Sequence, residues 1–140
     1  MRAEKAAIGE RLAELLDQDR DDYGAMYQLG LEQQGCIARE DLEGLRRSCE
    51  RLHSLMERIR LRQARYPAAG AWPPEAGCRR AELRGLIGQL QELRRANEAA
   101  VRELLARTRE ELKQLQQRRR ALRGYQGARV HEARFFDGTR

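Results

Sequence analysis

Residues 79–123 read RRAELRGLIGQLQELRRANEAAVRELLARTREELKQLQQRRRALR, 45 residues without a proline. Val101, Leu105, Thr108, Leu112, Leu115, Arg119 and Leu122 advance alternately by four and three, the seam of a coiled-coil-like helix. Upstream, Leu83, Leu86, Leu90, Leu93, Asn97, Val101 and Leu104 keep a helical period. The stretch predicts one long helix. At 1.5 Å per residue it extends roughly 65 Å, more than the width of a compact domain of this mass. Its leucines divide it: 79 to about 108 has enough to build a domain, and 109–125 carries a thinner stripe.

Working back, residues 3–37 predict a first helix, with Ile8, Leu12, Leu15, Leu16, Tyr23, Met26, Tyr27 and Ile37 on one arc. Asp19 interrupts that arc within an acidic patch. Gly24, Gly30 and Gly35 each lower helix propensity by about 1 kcal/mol, and two glycines on one helix offer room for a neighbouring backbone to approach closely. Residues 40–65 predict a second helix with Leu42, Leu45, Cys49, Leu52, Met56 and Ile59 as its seam. Acidic residues open this helix and arginines close it, as the helix dipole favours. The short break near residue 39 makes the pair an antiparallel hairpin. Pro67, Pro73, Pro74, Gly70 and Gly77 mark a linker, in which Trp72 is expected to cover the bundle end, with an exposed partner anchor as the alternative. The third helix spans 75–123, with Gly124 as its stop. The expected fold is all-α: a hairpin plus a longer third helix in one domain, 1–125, followed by a basic tail, 126–140.

Charge concentrates at that end. The chain carries a net +6, and seven arginines face only Glu132 and Asp137 between Arg118 and Arg140. Arginine outnumbers lysine throughout, with Lys5 and Lys113 the only lysines. That bias, beside abundant alanine, fits a GC-rich coding sequence and weakens a nucleic-acid reading based on arginine count. A mean hydropathy of −0.84 with 36% charged residues suits long, wet helices better than a thick core. Cys36, Cys49 and Cys78 form no close pair, so reduced thiols are expected. The first 20 residues hold no continuous apolar segment, and no run suits a transmembrane helix. A cytoplasmic protein without membrane insertion is expected.

Catalytic patterns are missing from the sequence. His53 and His131 stand apart, Ser48 and Ser54 lie outside any G-x-S-x-G elbow, and no P-loop or G-x-G-x-x-G occurs. The expectation is a non-enzyme with no catalytic residue, cofactor or metal. Three readings remain: a module that holds a partner helix along Leu112, Leu115 and Leu122, a nucleic-acid binder using Arg118–Arg120 beside Tyr125, Phe135 and Phe136, and a self-associating coiled coil giving a homo-oligomer.

Several strings bear on that choice. They are Leu15-Leu16, Tyr23, Met26-Tyr27-Gln28-Leu29, Glu32-Gln33, Ile37 and Glu40-Asp41-Leu42-Glu43-Gly44-Leu45. Glu92-Leu93-Arg94-Arg95-Ala96-Asn97, Arg123-Gly124-Tyr125 and Arg134-Phe135-Phe136-Asp137 follow in the second half. Together they resemble the FlgN family of flagellar export chaperones, whose small helical plan the FliT-type chaperones share. The resemblance implies a cytoplasmic chaperone that binds hook–filament junction (hook-associated) subunits, prevents their early assembly and delivers them to the type III export gate. It implies that the C-terminal helical region holds the client. It also implies that Tyr125, matching a tyrosine near the end of that helix, contributes to gate docking. Leu112, Leu115 and Leu122 are the adjacent apolar surface by position alone. Phe135 and Phe136 are expected to be partner-binding residues too, either folding back over that stripe in competition with the client or making a short linear contact. The proline-rich linker with Trp72 and the arginine content depart from the family pattern.

Overall fold

The computed structural model describes residues 2–68 and 72–137, with side chains in the last helix described as far as Arg129. Among the described residues there are three α-helices and no strand. Helix α1 is Arg2–Ala38, α2 is Leu42–Gln63 and α3 is Gly77–Asp137, preceded by a 3₁₀ turn at Pro74–Ala76. The fold is all-α, as the periodicity predicts.

The α1–α2 junction is a compact reversal. Glu40 N–H donates to the Ile37 carbonyl at 3.1 Å and Asp41 N–H to the Cys36 carbonyl at 2.8 Å. This is the pair of bonds that closes a Schellman end, with Glu40 at φ 57° where glycine is usual. Asp41 then caps α2, its side chain accepting the Gly44 N–H at 2.9 Å. A side chain at Gly44 would come within 2.9 Å of Cys36 Sγ. The segment from Cys36 to Gly44 thus turns the chain and starts the next helix.

Contacts fix the helix directions. Arg51 lies 3.8 Å from Glu32, Arg58 3.2 Å from Asp22 and Arg62 2.6 Å from Asp19, so α2 runs antiparallel to α1. Arg79 meets Asp17 at 3.2 Å and Asn97 donates to the Gly30 carbonyl at 2.8 Å, so residues 77–100 run parallel to α1. Leu12, Leu15, Leu16, Met26, Leu29, Cys36, Ile37, Ile59 and Ala76 form the buried apolar set. Tyr66, Trp72 and Leu83 pack on Leu12, Leu16 and Ala76. Trp72 therefore covers the core at this end, its ring centroid 5.2 Å from that of Tyr66, with the Arg80 guanidinium 4.4 Å over its face.

Several expectations change. The covered line of α2 is Leu45, Ser48, Leu52, Leu55, Ile59 and Arg62, while Leu42, Cys49 and Met56 are exposed. The helix is turned toward Ser48 and Leu55, which brings Arg62 onto two carboxylates of α1. Ile8, placed on the α1 arc by its spacing, is exposed. Helix α3 passes the stop expected at Gly124 and continues to Asp137. Glycine lowers helix propensity by only about 1 kcal/mol and no proline follows it, so the neighbouring helix formers carry the chain on. A continuous helix over 126–137 replaces the tail expected to fold back. The chain divides into two units, Met1–Ala100 and Val101–Arg140.

Candidate partner-binding stripe

Within the first unit, the α3 side chains that face inward are Leu83, Leu86, Ile87, Leu90, Leu93 and Asn97, half-buried or buried. Gly30 of α1 permits this approach, because a Cβ there would come within 2.7 Å of Leu93 Cδ2. Asn97 is buried with its Nδ2 on the Gly30 carbonyl. Its Oδ1 has no protein partner. The asparagine on the seam thus fixes the level at which α3 meets α1, as a polar seam residue does in coiled coils.

Beyond Ala100 the pattern of exposure reverses. From Val101 to Arg129 every described side chain is exposed except that of Leu104, which is half-buried. The predicted contact residues Leu112, Leu115, Leu122 and Tyr125 expose 57, 53, 58 and 62% of their surface. The apolar line also rotates. Leu83, Leu90, Asn97 and Leu104 recur every seven residues, whereas Leu105, Leu112 and Arg119 occupy the next position of the repeat. Leu112, Leu115 and Leu122 fall on one line with Val101, Leu105, Thr108 and Arg119. Thr108 donates its hydroxyl to the Leu104 carbonyl at 2.9 Å. Tyr125 lies beside that line, and the Arg129 guanidinium sits 5.5 Å from its ring centroid. The side chains of Phe135 and Phe136 lie outside the described residues.

Such a strip offers packing area and cations. Arg118, Arg119, Arg120 and Arg123 are all exposed along it. Among the described residues, no group of three or more His, Cys, Asp or Glu side chains could hold a metal ion. No described helix is long and apolar enough to cross a membrane.

A second cluster escaped the sequence reading. Arg62 donates to Asp19 at 2.6 Å, to Asp22 at 2.8 Å and to Gln18 at 3.2 Å. The three charged residues are only 9, 2 and 5% exposed for Arg62, Asp19 and Asp22. Tyr66 donates its hydroxyl to Asp19. Burial alone lowers the Arg62 pKa, but its hydrogen bonds to the two aspartates carry it above the ordinary value. Burial first, then Asp19, raises the phenols of both Tyr66 and Tyr23. The cluster ties α1, α2 and the start of the linker together. Its signal was present: Asp19 stands on the α1 arc and Arg62 follows Ile59 by three, each a charge on an apolar line.

No family model, curated protein or solved structure matches the chain.

Proposed function

We propose that this protein is a non-enzymatic, cytoplasmic chaperone of flagellar type III export. In this reading it holds hook–filament junction subunits through the distal part of α3. One observation carries the reading: Leu112, Leu115 and Leu122 stand exposed on a continuous helix. A line of leucines on a preformed helix matches the groove-filling face of an amphipathic helix, and such faces recognise partners by apolar anchors at helical spacing. The resemblance to FlgN-type chaperones supplies the client class and gives Tyr125 a separate role at the export gate.

Calorimetry with purified hook–filament junction subunits tests it. The full chain should bind one of them, and Leu112→Asp with Leu115→Asp should abolish the heat while leaving the circular dichroism of the free chain unchanged. Tyr125→Ala should impair motility with client affinity intact. Absence of binding to every junction subunit overturns the client assignment. The exposed Arg118–Arg120 run supports a second reading, nucleic-acid binding. It predicts affinity for RNA or DNA that falls steeply as salt rises, unlike leucine-mediated client binding.

A further inference from the structure

We infer that, when no client is present, the distal stripe of α3 is covered by the same stripe of a second copy, packed antiparallel. The inference goes beyond the chaperone reading and does not depend on which client is bound. It rests on how the residues of one repeat meet when the helix is placed against itself.

From Val101, which meets Gln126 at the outer end of the pairing below, the exposed line runs Leu105, Thr108, Leu112, Leu115, Arg119, Leu122. Placed antiparallel about its midpoint, it pairs Leu105 with Leu122, Thr108 with Arg119 and Leu112 with Leu115 across the two copies. Every leucine meets a leucine. The one cation of the line meets the one short polar side chain, and the guanidinium has room to pass over the threonine to solvent. The flanks agree on one side: Glu111 approaches Arg118, and Leu104 approaches Tyr125, each twice by symmetry. On the other side Arg109 meets Gln116, and Arg102 meets Arg123 only at the outer ends, where salt screens exposed charges. All of these side chains other than Leu104 are exposed in the single chain.

The parallel alternative fails on charge. It stacks Arg119 on Arg119 and Thr108 on Thr108 in the apolar line, while its flanking approach of Arg118 to Arg123 only matches that of Arg102 to Arg123 in the antiparallel pairing. Like charges facing each other disfavour that pairing. The antiparallel register therefore uses the same leucines with Arg119 kept apart from its copy. It also hides a strip whose continuous exposure would make a free chain prone to aggregate. Client binding and self-association would then compete for one surface.

Sedimentation equilibrium of the full chain should show the mass rising from 16.2 kDa toward twice that value as concentration increases. Glu111→Arg should weaken the dimer about tenfold, and Glu111→Arg with Arg118→Glu should restore it. Arg119→Leu should tighten it about tenfold. Direction is read by thiol cross-linking in a background with Cys49→Ser and Cys78→Ser. Chains carrying Leu105→Cys and chains carrying Leu122→Cys should cross-link only when mixed, because each position lies about 25 Å from its own copy. A chain that stays monomeric, a Glu111→Arg variant that associates as before, or cross-linking of either cysteine variant alone overturns the inference. Those results leave the calorimetric test of the client untouched.

Discussion

Residues 77–100 and 101–129 belong to one helix and have leucines at the same spacing, yet their side chains differ in fate. The proximal leucines are half-buried within the first unit, and the distal ones are exposed. Leucine content does not explain this, since Leu105, Leu112, Leu115 and Leu122 are as regularly placed as Leu83, Leu86, Leu90 and Leu93. The difference is the partner. Gly30 and Asn97 bring α1 and α3 together at one level, and the apolar line turns to the next repeat position just after Leu104. A periodic stripe therefore states that a helix has a contact face, and its neighbours decide whether that face is core or surface.

The largest way to break the contrast is to loosen the unit that holds the proximal half. Arg62→Met leaves Asp19 buried without its counter-charge and Asp22 with the exposed Arg58 alone, where removal of one partner of a buried pair costs about 3–5 kcal/mol. Urea denaturation should show a loss of that order, comparable with much of the stability of a small domain. A loss below about 1 kcal/mol would mean that water reaches the pair in solution. The same cluster predicts alkaline lability. The folded state holds the Tyr66 proton more tightly than the unfolded chain, whose phenol titrates near a pH of about 10. This contribution is complete below that pH and declines as pH rises through the higher folded value. Tyr66→Phe should flatten the alkaline fall in unfolding midpoint; an equally steep fall would assign it to other groups.

Next in size is the approach of α3 to α1. Gly30→Val drives its side chain into Leu93 and should cost about 1–3 kcal/mol in thermal unfolding. Gly24→Ala, with open space around the new methyl group, should instead stabilise by about 1 kcal/mol. Opposite signs at two glycines of one helix would locate the close contact at Gly30. Equal effects would show that propensity alone matters there.

Much of this fold was legible from periodicity, because three long runs of helical spacing allow no sheet. The α1 and α2 spans expected from sequence, 3–37 and 40–65, lie within two residues of Arg2–Ala38 and Leu42–Gln63. Rotation was less legible. Leu45, Leu52 and Ile59 fit either of two adjacent faces on α2, and the choice rests on Arg62 reaching Asp19 and Asp22, a long-range pairing that local spacing does not encode. The helix end at Gly124 was misread for a related reason: glycine permits a stop, but termination also needs bonds from the following chain to the last carbonyls. At the candidate site, the spacing of Leu112, Leu115 and Leu122 was visible, whereas their exposure depended on what lay opposite.

The smallest expected effect is the most discriminating between the two halves. At concentrations low enough to keep the chain monomeric, Leu115→Ala should change stability by no more than about 0.5 kcal/mol, as surface substitutions do. Leu16→Ala, at 3% exposure in the first unit, should cost about 2–5 kcal/mol through lost packing and the cavity left behind. Urea titrations at matched dilution compare the two directly. If Leu115→Ala proved as damaging as Leu16→Ala, the distal leucines would already be core in the lone chain, and neither a client nor a second copy would have a free stripe to occupy. A small loss that grows with protein concentration has the opposite meaning. It would show the same leucine changing from surface to core as soon as a partner helix is present.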